Sequence, residues 1–493
     1  MKIKSLKYKI LGVILVFTLS SSIVGCKKEL DNELKNKTYA DTFWESENDV
    51  DGALSGAYGL LRKSLNNQNN FFIWGDLATG VFATDDTNIQ GAYGSGAFGV
   101  PYREDGAHNW TNWYRVVDLS NLVIENVTKM SDSKFAPGRK NYFLGEAYFL
   151  RGLAYFYMTR AWGDVPLQLE ATTTAQQAQY KPATAASSIL KQVIADGQKA
   201  SALLTWDGGQ ERVRASKGAA LSLLTHATAW DNDYSKTLLY ADSIIASGKF
   251  QLQDIDDIKL VFKNSNEPEN IFVITQKQSD NESTNTGIAF STVSNDIING
   301  LPRSTPEYYV PTTKLSVLYN DPNDKRLAQF YLPRPNVTLN RALGKYAVFQ
   351  NVGTSNSIAW RSENNIVIYR LADIILLKSE ALNALNRDPE AQTALNLIRT
   401  RAGAGAINTT GVDLKKDILL ERQRELAGEG QNYFDVVRNS YKSPTGYLLF
   451  GQVLSWTMDP GRFAAKGYYW PISNTILNAN KLLSQIPWWR GKI

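Results

Sequence analysis

The residues of this 493-residue chain best spaced for acid–base chemistry are Glu421, Glu425 and Glu429, in "LLERQRELAGEGQNYFDVVR". Glu421 and Glu425 stand one helical turn apart, and Glu429 extends the row along the same face. Two carboxylates about 5–9 Å apart are what glycoside hydrolysis uses. Arg422, Arg424 and Arg438 alternate with them. Charges of both signs interleaved on a helix make ion pairs and solvated faces, and that reading is preferred to catalysis. The remaining inventory is thin. There are two histidines: His226 lies in the apolar helical stretch 221–227 and reads as a satisfied core residue, while His108 stands in a loop with no partner in sequence. Cys26 is the one cysteine, which excludes a Cys/His triad and leaves zinc only carboxylate-rich sites. Gly94-Ser95-Gly96 lacks the helix and the GK[ST] of a phosphate loop. The chain reads as a non-enzyme that needs no cofactor and no metal.

Aromatic residues are plentiful instead, with 12 Trp and 24 Tyr. A sugar ring offers a weakly polar C–H face and a rim of hydroxyls; a flat aromatic covers the face, and carboxylates, amides or Arg take the rim. Irregular segments combine such parts at Trp74 with Asp76, Tyr93 and Tyr102, Tyr308 and Tyr309, and Trp360 with Arg361. The expected ligand-binding residues are Trp74, Asp76, Tyr93, Tyr102, Tyr309, Trp360 and Arg361. The competing role for each aromatic is to pin its loop to the body.

The elements that must position these residues are mostly helical. Ser46 reads as an N-cap, with Asp49 as the acid three residues later, for a helix to about Leu65. Residues 66–110 read as loop, rich in Gly, Asn and aromatics, and a loop of that length is usually functional or disordered. Helices resume at 113–130 and 140–162. The second is apolar nearly all round, so it must be covered on most sides. Further helices are expected at 186–204 and 216–230; a turn at 231–233 leads to another. This succession resembles tetratricopeptide hairpins of irregular spacing. Residues 280–360 concentrate Pro, Asn, Thr and Tyr, with strand-like runs such as 328–332. Helices return at 371–385, 391–401 and 413–439. The fold class is all-α: a tetratricopeptide-like α-solenoid with loop-rich insertions and a few short strands.

The first residues read as an export signal. Lys2, Lys4, Lys7 and Lys9 precede an apolar run from Ile10 to Leu19, too short for a transmembrane helix, which needs roughly 20 residues. Ile23-Val24-Gly25-Cys26 resembles a bacterial lipobox, which makes Cys26 the lipid anchor and mature N-terminus. The charged stretch 27–33 resembles a tag for transfer to the cell surface. Removing the four lysines of residues 1–25 from 53 Lys and Arg leaves 49, against 48 Asp and Glu. No basic stripe remains, so nucleic acid is an unlikely partner class.

Taken in order, the lipobox, "FWESENDVDGALSGAYGLL", "WTNWYRVVDLSNLVIENV", "GEAYFLRGLAYFYMTRAWGDVPL", "SKGAALSLLTHATAW", "VIYRLADIILLKSEAL", "ALNLIRTRAGA", "LLERQRELAGEGQNYFDVVR" and "YYWPIS" resemble the SusD/RagB family of outer-membrane nutrient-binding lipoproteins. The family commonly ends in a QNPGY-like tail, where this chain has Ser484 to Trp489. The resemblance implies a lipoprotein signal peptide at 1–25, a SusD-like helical region at 26–240, a variable loop-rich region at 241–365 and a C-terminal RagB/SusD helical region at 366–493. It implies four tetratricopeptide-like units and a lipid-anchored, surface-exposed protein of the outer membrane. Such a protein captures an oligosaccharide and delivers it to a SusC-like TonB-dependent transporter. The alternatives are a surface glycan hydrolase and a peptide-binding RagB-like lipoprotein.

Overall fold

Ser46 leaves the extended conformation and its backbone N–H donates to the Asp49 carboxylate at 2.8 Å, starting helix α1, Glu47–Asn66. In the computed structural model, residues 43–86, 93–99, 104–174, 177–207, 212–277, 282, 287–354 and 358–492 are described. The segment holding Cys26 and its signal, and Tyr102, lie outside them. The other long helices are α2 (Thr111–Lys129), α3 (Arg139–Trp162), α4 (Ala186–Leu203), α5 (Lys217–Trp230) and α6 (Tyr234–Ala246), then α7 (Leu371–Ala384), α8 (Asp388–Ala402), α9 (Gly411–Glu425) and α10 (Asn432–Ser440). Ser216 caps α5 by accepting from Ala219 N–H, and Asp233 caps α6 by accepting from Lys236 N–H.

Each helix from α1 to α8 packs on the next, across the irregular segment between α6 and α7. The fold is therefore the expected succession of helical hairpins, and residues 46–493 form one compact unit. α3 is buried almost continuously from Phe143 to Trp162. Its Arg151 makes a two-pronged contact with Asp196 of α4, at 2.8 and 2.7 Å, and reaches Asn121 of α2.

Strands are short and fall within residues 270–370. β1 (Asn270–Ile274) pairs antiparallel with β7 (Ile366–Arg370). β2 (Val310–Pro311), β3 (Tyr331–Arg334) and β4 (Val337–Leu343) form a three-stranded sheet in the order 2-4-3. β5 (Phe349–Asn351) and β6 (Trp360–Ser362) form a ribbon. The strand expected at 328–332 begins only at Tyr331, because Arg326–Phe330 is a helical turn.

Two expectations are corrected. Residues 70–79 are not loop but two short helical turns, Asn70–Gly75 and Leu77–Thr79, wholly buried. The helix expected at 413–439 is two helices, broken where Gly428 and Gly430 take φ of 83° and 80°.

Glu421 and Glu425 of α9 are the ionic centre of the body, joined by Glu429, which lies in the turn beyond α9 rather than on the same helix face as expected. Arg326 contacts Glu421 at 2.7 Å and Glu425 at 3.2 Å. Arg370, at the end of β7, contacts Glu269 at 2.5 Å, Glu425 at 2.8 Å and Glu429 at 2.7 Å. Arg399 and Arg401 of α8 reach Glu421 and Glu425, and Lys345 reaches Glu429. On the other side of α9, Arg422 bridges Asp373 of α7 and Asp435 of α10, each at 2.8 Å. Arg438 joins Asp435 to Glu380, and Asp373 also holds His226 at 2.6 Å. His226 is thus the satisfied core residue expected. The solvated face expected for this row does not exist, since Glu421, Arg422 and Glu425 are fully buried.

Burial by itself raises a carboxyl pKa, yet the neighbouring arginines outweigh it and hold Glu421, Glu425 and Glu380 below the usual range; His226 and Arg422 do the same for Asp373. Carboxyls depressed in the folded state add stability that is present above the unfolded value, roughly 4, and lost as pH falls through it towards the depressed values. The urea midpoint should therefore begin to drop near pH 5 and fall most steeply below about pH 4. At neutral pH, Glu425→Gln should cost about 3–5 kcal/mol, because it strands buried guanidinium groups. An acid-insensitive midpoint would contradict this network.

Candidate functional site

The candidate residues separate into a buried set and a surface set. Trp74 lies on the turn Asn70–Gly75 with no exposed surface. Its indole Nε1 donates to Ala107 O at 2.9 Å, and its ring meets Trp162 edge-on at 5.5 Å. Asp76 is also fully buried. One carboxylate oxygen accepts from Gly428 N–H at 2.9 Å and Asn432 Nδ2 at 3.0 Å; the other accepts from Gly430 N–H at 2.5 Å. Burial pushes its carboxyl up to about 7, against the pull of those donors. Alongside, the backbone of Gly75 runs so close to Gly430 that a Cβ would sit 2.0 Å from a carbonyl carbon. Only glycine permits that approach. Tyr93 is buried against Trp470 and Tyr308 against Phe72.

These placements correct the expectation for Trp74, Asp76 and Tyr93. Asp76 joins the segment after α1 to the turn after α9, Trp74 and Tyr93 pack in the core, and none of the three offers a ligand any surface. The apolar run "FFIWG" lacks helical periodicity because two short turns are buried on all sides, which sequence period does not distinguish from a loop.

Tyr309 and Trp360 do reach the surface, each half-buried. Tyr309 bridges to Ala83 through both backbone hydrogen bonds, at 2.8 and 3.0 Å, and its hydroxyl donates to Asp85 at 2.8 Å. Partial burial, then the hydrogen bond to Asp85 and its charge, push the phenol up to about 12. Trp360 donates from Nε1 to Asn299 O at 3.0 Å and meets Phe349 at 6.4 Å. Gly300, with φ of 89°, lies beneath it, where a Cβ would come within 3.1 Å of the indole nitrogen. Arg361 is half-buried, but successive residues on a strand face opposite ways, so β6 turns Arg361 away from the face that Trp360 occupies.

One segment, residues 287–311, carries Tyr309 and supports Trp360. Phe290, Val293 and Leu301 give it a small core, on which Phe349 and Trp360 pack. Asn295 N–H donates to Arg303 O at 2.7 Å, Tyr308 N–H to Ser291 O at 2.8 Å, and Arg334 holds Asp296 at 2.8 Å. This segment therefore carries Tyr309 in its own chain and seats the Trp360 ring on its small core, and the polar edge of each aromatic is bonded to the body. Sequence reading missed Asp85 and Asn299, which fix those rings; the available signal was only an acidic pair in one loop and an Asn-Gly turn in the other.

The carboxylates of α9 have no route to a substrate, since Glu421 and Glu425 are fully buried and ion-paired. Among the described residues no group of three or more His, Cys, Asp or Glu is arranged to hold a metal. No described helix is long and apolar enough to cross a membrane.

Comparison with known proteins reaches both ends of this architecture. Residues 331–489 match the SusD family model, and residues 30–228 match a model described as starch-binding associating with outer membrane. A SusD-like protein of Formosa agariphila is 25% identical, with 88% of this chain and 92% of that protein covered. A solved SusD homolog from Bacteroides thetaiotaomicron superposes with a TM-score of 0.76 at 24% identity, over 90% of this chain and 98% of that one. A structure described as a putative sugar binding protein from Bacteroides vulgatus superposes with a TM-score of 0.72 at 21% identity, over 90% and 98%.

The buried set yields its own test. Trp74→Ala should destabilise the protein by about 3–5 kcal/mol, as for other large aromatics deleted from a core. Asp76→Asn should also destabilise it, because an amide N–H would face backbone N–H donors. Melting curves and urea titrations of the two variants check this; native stability in both would return these residues to the list of surface candidates.

Proposed function

The chain belongs to the SusD/RagB family, and on that premise we propose that it is a glycan-binding protein of the outer membrane that presents Tyr309 and Trp360 to an oligosaccharide. The observation that carries the reading is the fixed, half-exposed pair of aromatics on residues 287–311 and β6, each with its polar edge oriented by Asp85 or Asn299. An indole or phenol face covers a sugar ring, and rim groups discriminate among hydroxyl patterns. The sealed carboxylates of α9 argue against the hydrolase alternative. The relatives' descriptions, starch-binding and sugar binding, favour a glycan over a peptide.

The same proposal includes lipid attachment at Cys26, exposure at the cell surface and delivery of the glycan to a SusC-like TonB-dependent transporter. Its support is the lipobox-like run before Cys26 and the family itself. Calorimetry of the full chain against plant, algal and host oligosaccharides tests the binding face. Trp360→Ala should weaken binding by about 1–3 kcal/mol, the scale of a lost aromatic anchor. The anchored state is read in parallel: Cys26→Ala should release the protein from outer membranes, and the wild type should co-purify with a larger β-barrel protein. Unchanged affinity in Trp360→Ala and Tyr309→Ala together would overturn this binding face.

A further inference from the structure

A second aromatic cleft lies at the N-terminal end of α2 and shares no residue with the segments carrying Tyr309 and Trp360. It has a volume of about 420 Å³ and opens where α2 meets residues 166–172 and 177–181 and the short helix Asn474–Ala479. That volume falls in the range of small-ligand sites, roughly 300–1,000 Å³. Trp110 and Tyr114 line it, and Tyr180 stands at its rim. Tyr180 is 64% exposed, the most exposed aromatic side chain among the described residues. Arg115, Gln179 and Lys181 also line the cleft, and among the described residues their side chains take no hydrogen bond or ion pair.

The walls are fixed before any ligand arrives. Val165 and Thr184 bridge at the neck of the loop, at 3.0 Å. Tyr114 Oη donates to Pro166 O at 2.6 Å, and Tyr155 Oη to Gln168 O at 2.9 Å. Asn121 Nδ2 donates to the Gln168 and Glu170 carbonyls at 3.2 and 3.1 Å. Thr172 N–H donates to Asp118 at 2.9 Å, and Asn480 Nδ2 to Lys181 O at 2.9 Å. A loop held at so many points keeps the Tyr180 ring in water without the packing that normally justifies an aromatic. Because the backbone on both sides of the ring is already pinned, a ligand seated there has little chain left to order.

We propose that this cleft is a second carbohydrate-binding site, taking a short segment of an oligosaccharide across Tyr180 with its hydroxyls on Arg115, Gln179 and Lys181. The inference rests on the glycan-binding reading above. The buried part of the lining is apolar, with Trp110, Ile476 and Leu483, while Arg115, Gln179 and Lys181 stand beside the exposed Tyr180 ring. An aromatic face next to charged and amide groups suits a sugar ring and its hydroxyls better than a lipid chain, which leaves such groups unpaired. Two sites on one rigid body would also hold a long glycan by avidity, each contact raising the local concentration of the chain at the other.

The test uses the full chain in detergent, a printed array of plant, algal and host oligosaccharides, and calorimetry with the longest oligosaccharide retained. Tyr180→Ala and Arg115→Ala should each lower affinity by about 5- to 30-fold, in the range of a lost aromatic or Arg contact. Tyr180→Phe should restore binding, and melting temperatures should not change, since Tyr180 is exposed. The combination of Tyr180→Ala with Trp360→Ala should abolish the residual binding that either single variant keeps. If Tyr180→Ala and Arg115→Ala stay within twofold of wild type while Trp360→Ala loses binding, the second site is overturned and the first stands. If the wild type retains no glycan on the array, the glycan-binding reading falls, and this inference with it.

Discussion

The carboxylates of Glu421, Glu425 and Glu429 are shut away from water, and the rest of the architecture answers to that fact. A buried carboxylate is tolerable only when it is paired and hydrogen-bonded. Their partners come from distant parts of the chain: Arg370 at the end of β7, Arg326 and Lys345 from the loop-rich region, and Arg399 and Arg401 from α8; Arg370 also draws in Glu269, just before β1. Arg422 and Arg438 extend the lattice through α7 and α10. No one of these elements can move away without leaving a charge unpaired. The irregular region is thereby locked to the helical body rather than suspended from it.

A second seam does the same for the N-terminal hairpin. Asp76 collects two donors from the turn after α9 and a third from Asn432 at the start of α10, and Gly75 lies against Gly430 with room for no side chain. The seam draws "NNFFIWGDLATG" into the core, and Trp74, Phe72 and Tyr308 pack there. The body leaves a few aromatics uncovered, Tyr309 and Trp360 in part and Tyr180 at the cleft beside α2 largely so, and in the proposed reading these are the groups that meet a glycan. Rigidity and exposure together are what a capture protein needs, because order in the free site reduces the entropy lost on binding.

The helices were legible because their signals are local. Ser46 with Asp49, Ser216 and Asp233 each lie within three or four residues of the groups they cap. The all-round apolar character of α3 foretold its burial. The break inside the expected helix 413–439 was less visible, since "LAGEGQ" becomes a turn only when Gly428 and Gly430 bond to Asp76, some 350 residues away. The same long-range contact explains the misplacement of Trp74 and Asp76. Composition offered an aromatic beside a carboxylate, a pattern that serves a sugar site and a buried hydrogen-bonded seam equally well. Trp360 reached the surface as expected, but Arg361 did not join it, since strand alternation separates neighbours that sequence places side by side. Tyr180 drew no notice at all: nothing in "AQYKP" tells that Val165, Asp118 and Asn480 hold its loop open.

The central claim is that glycans meet pre-formed surface aromatics on an ion-locked body. Hydrogen–deuterium exchange of the full chain, with and without the longest oligosaccharide it binds, tests this directly. Protection on binding should appear in residues 295–303, 349–354 and 358–362, with residues 421–432 already slow to exchange and unchanged by ligand. Ligand-induced protection centred on residues 70–80 and 421–432, with the first three segments unaffected, would contradict the account.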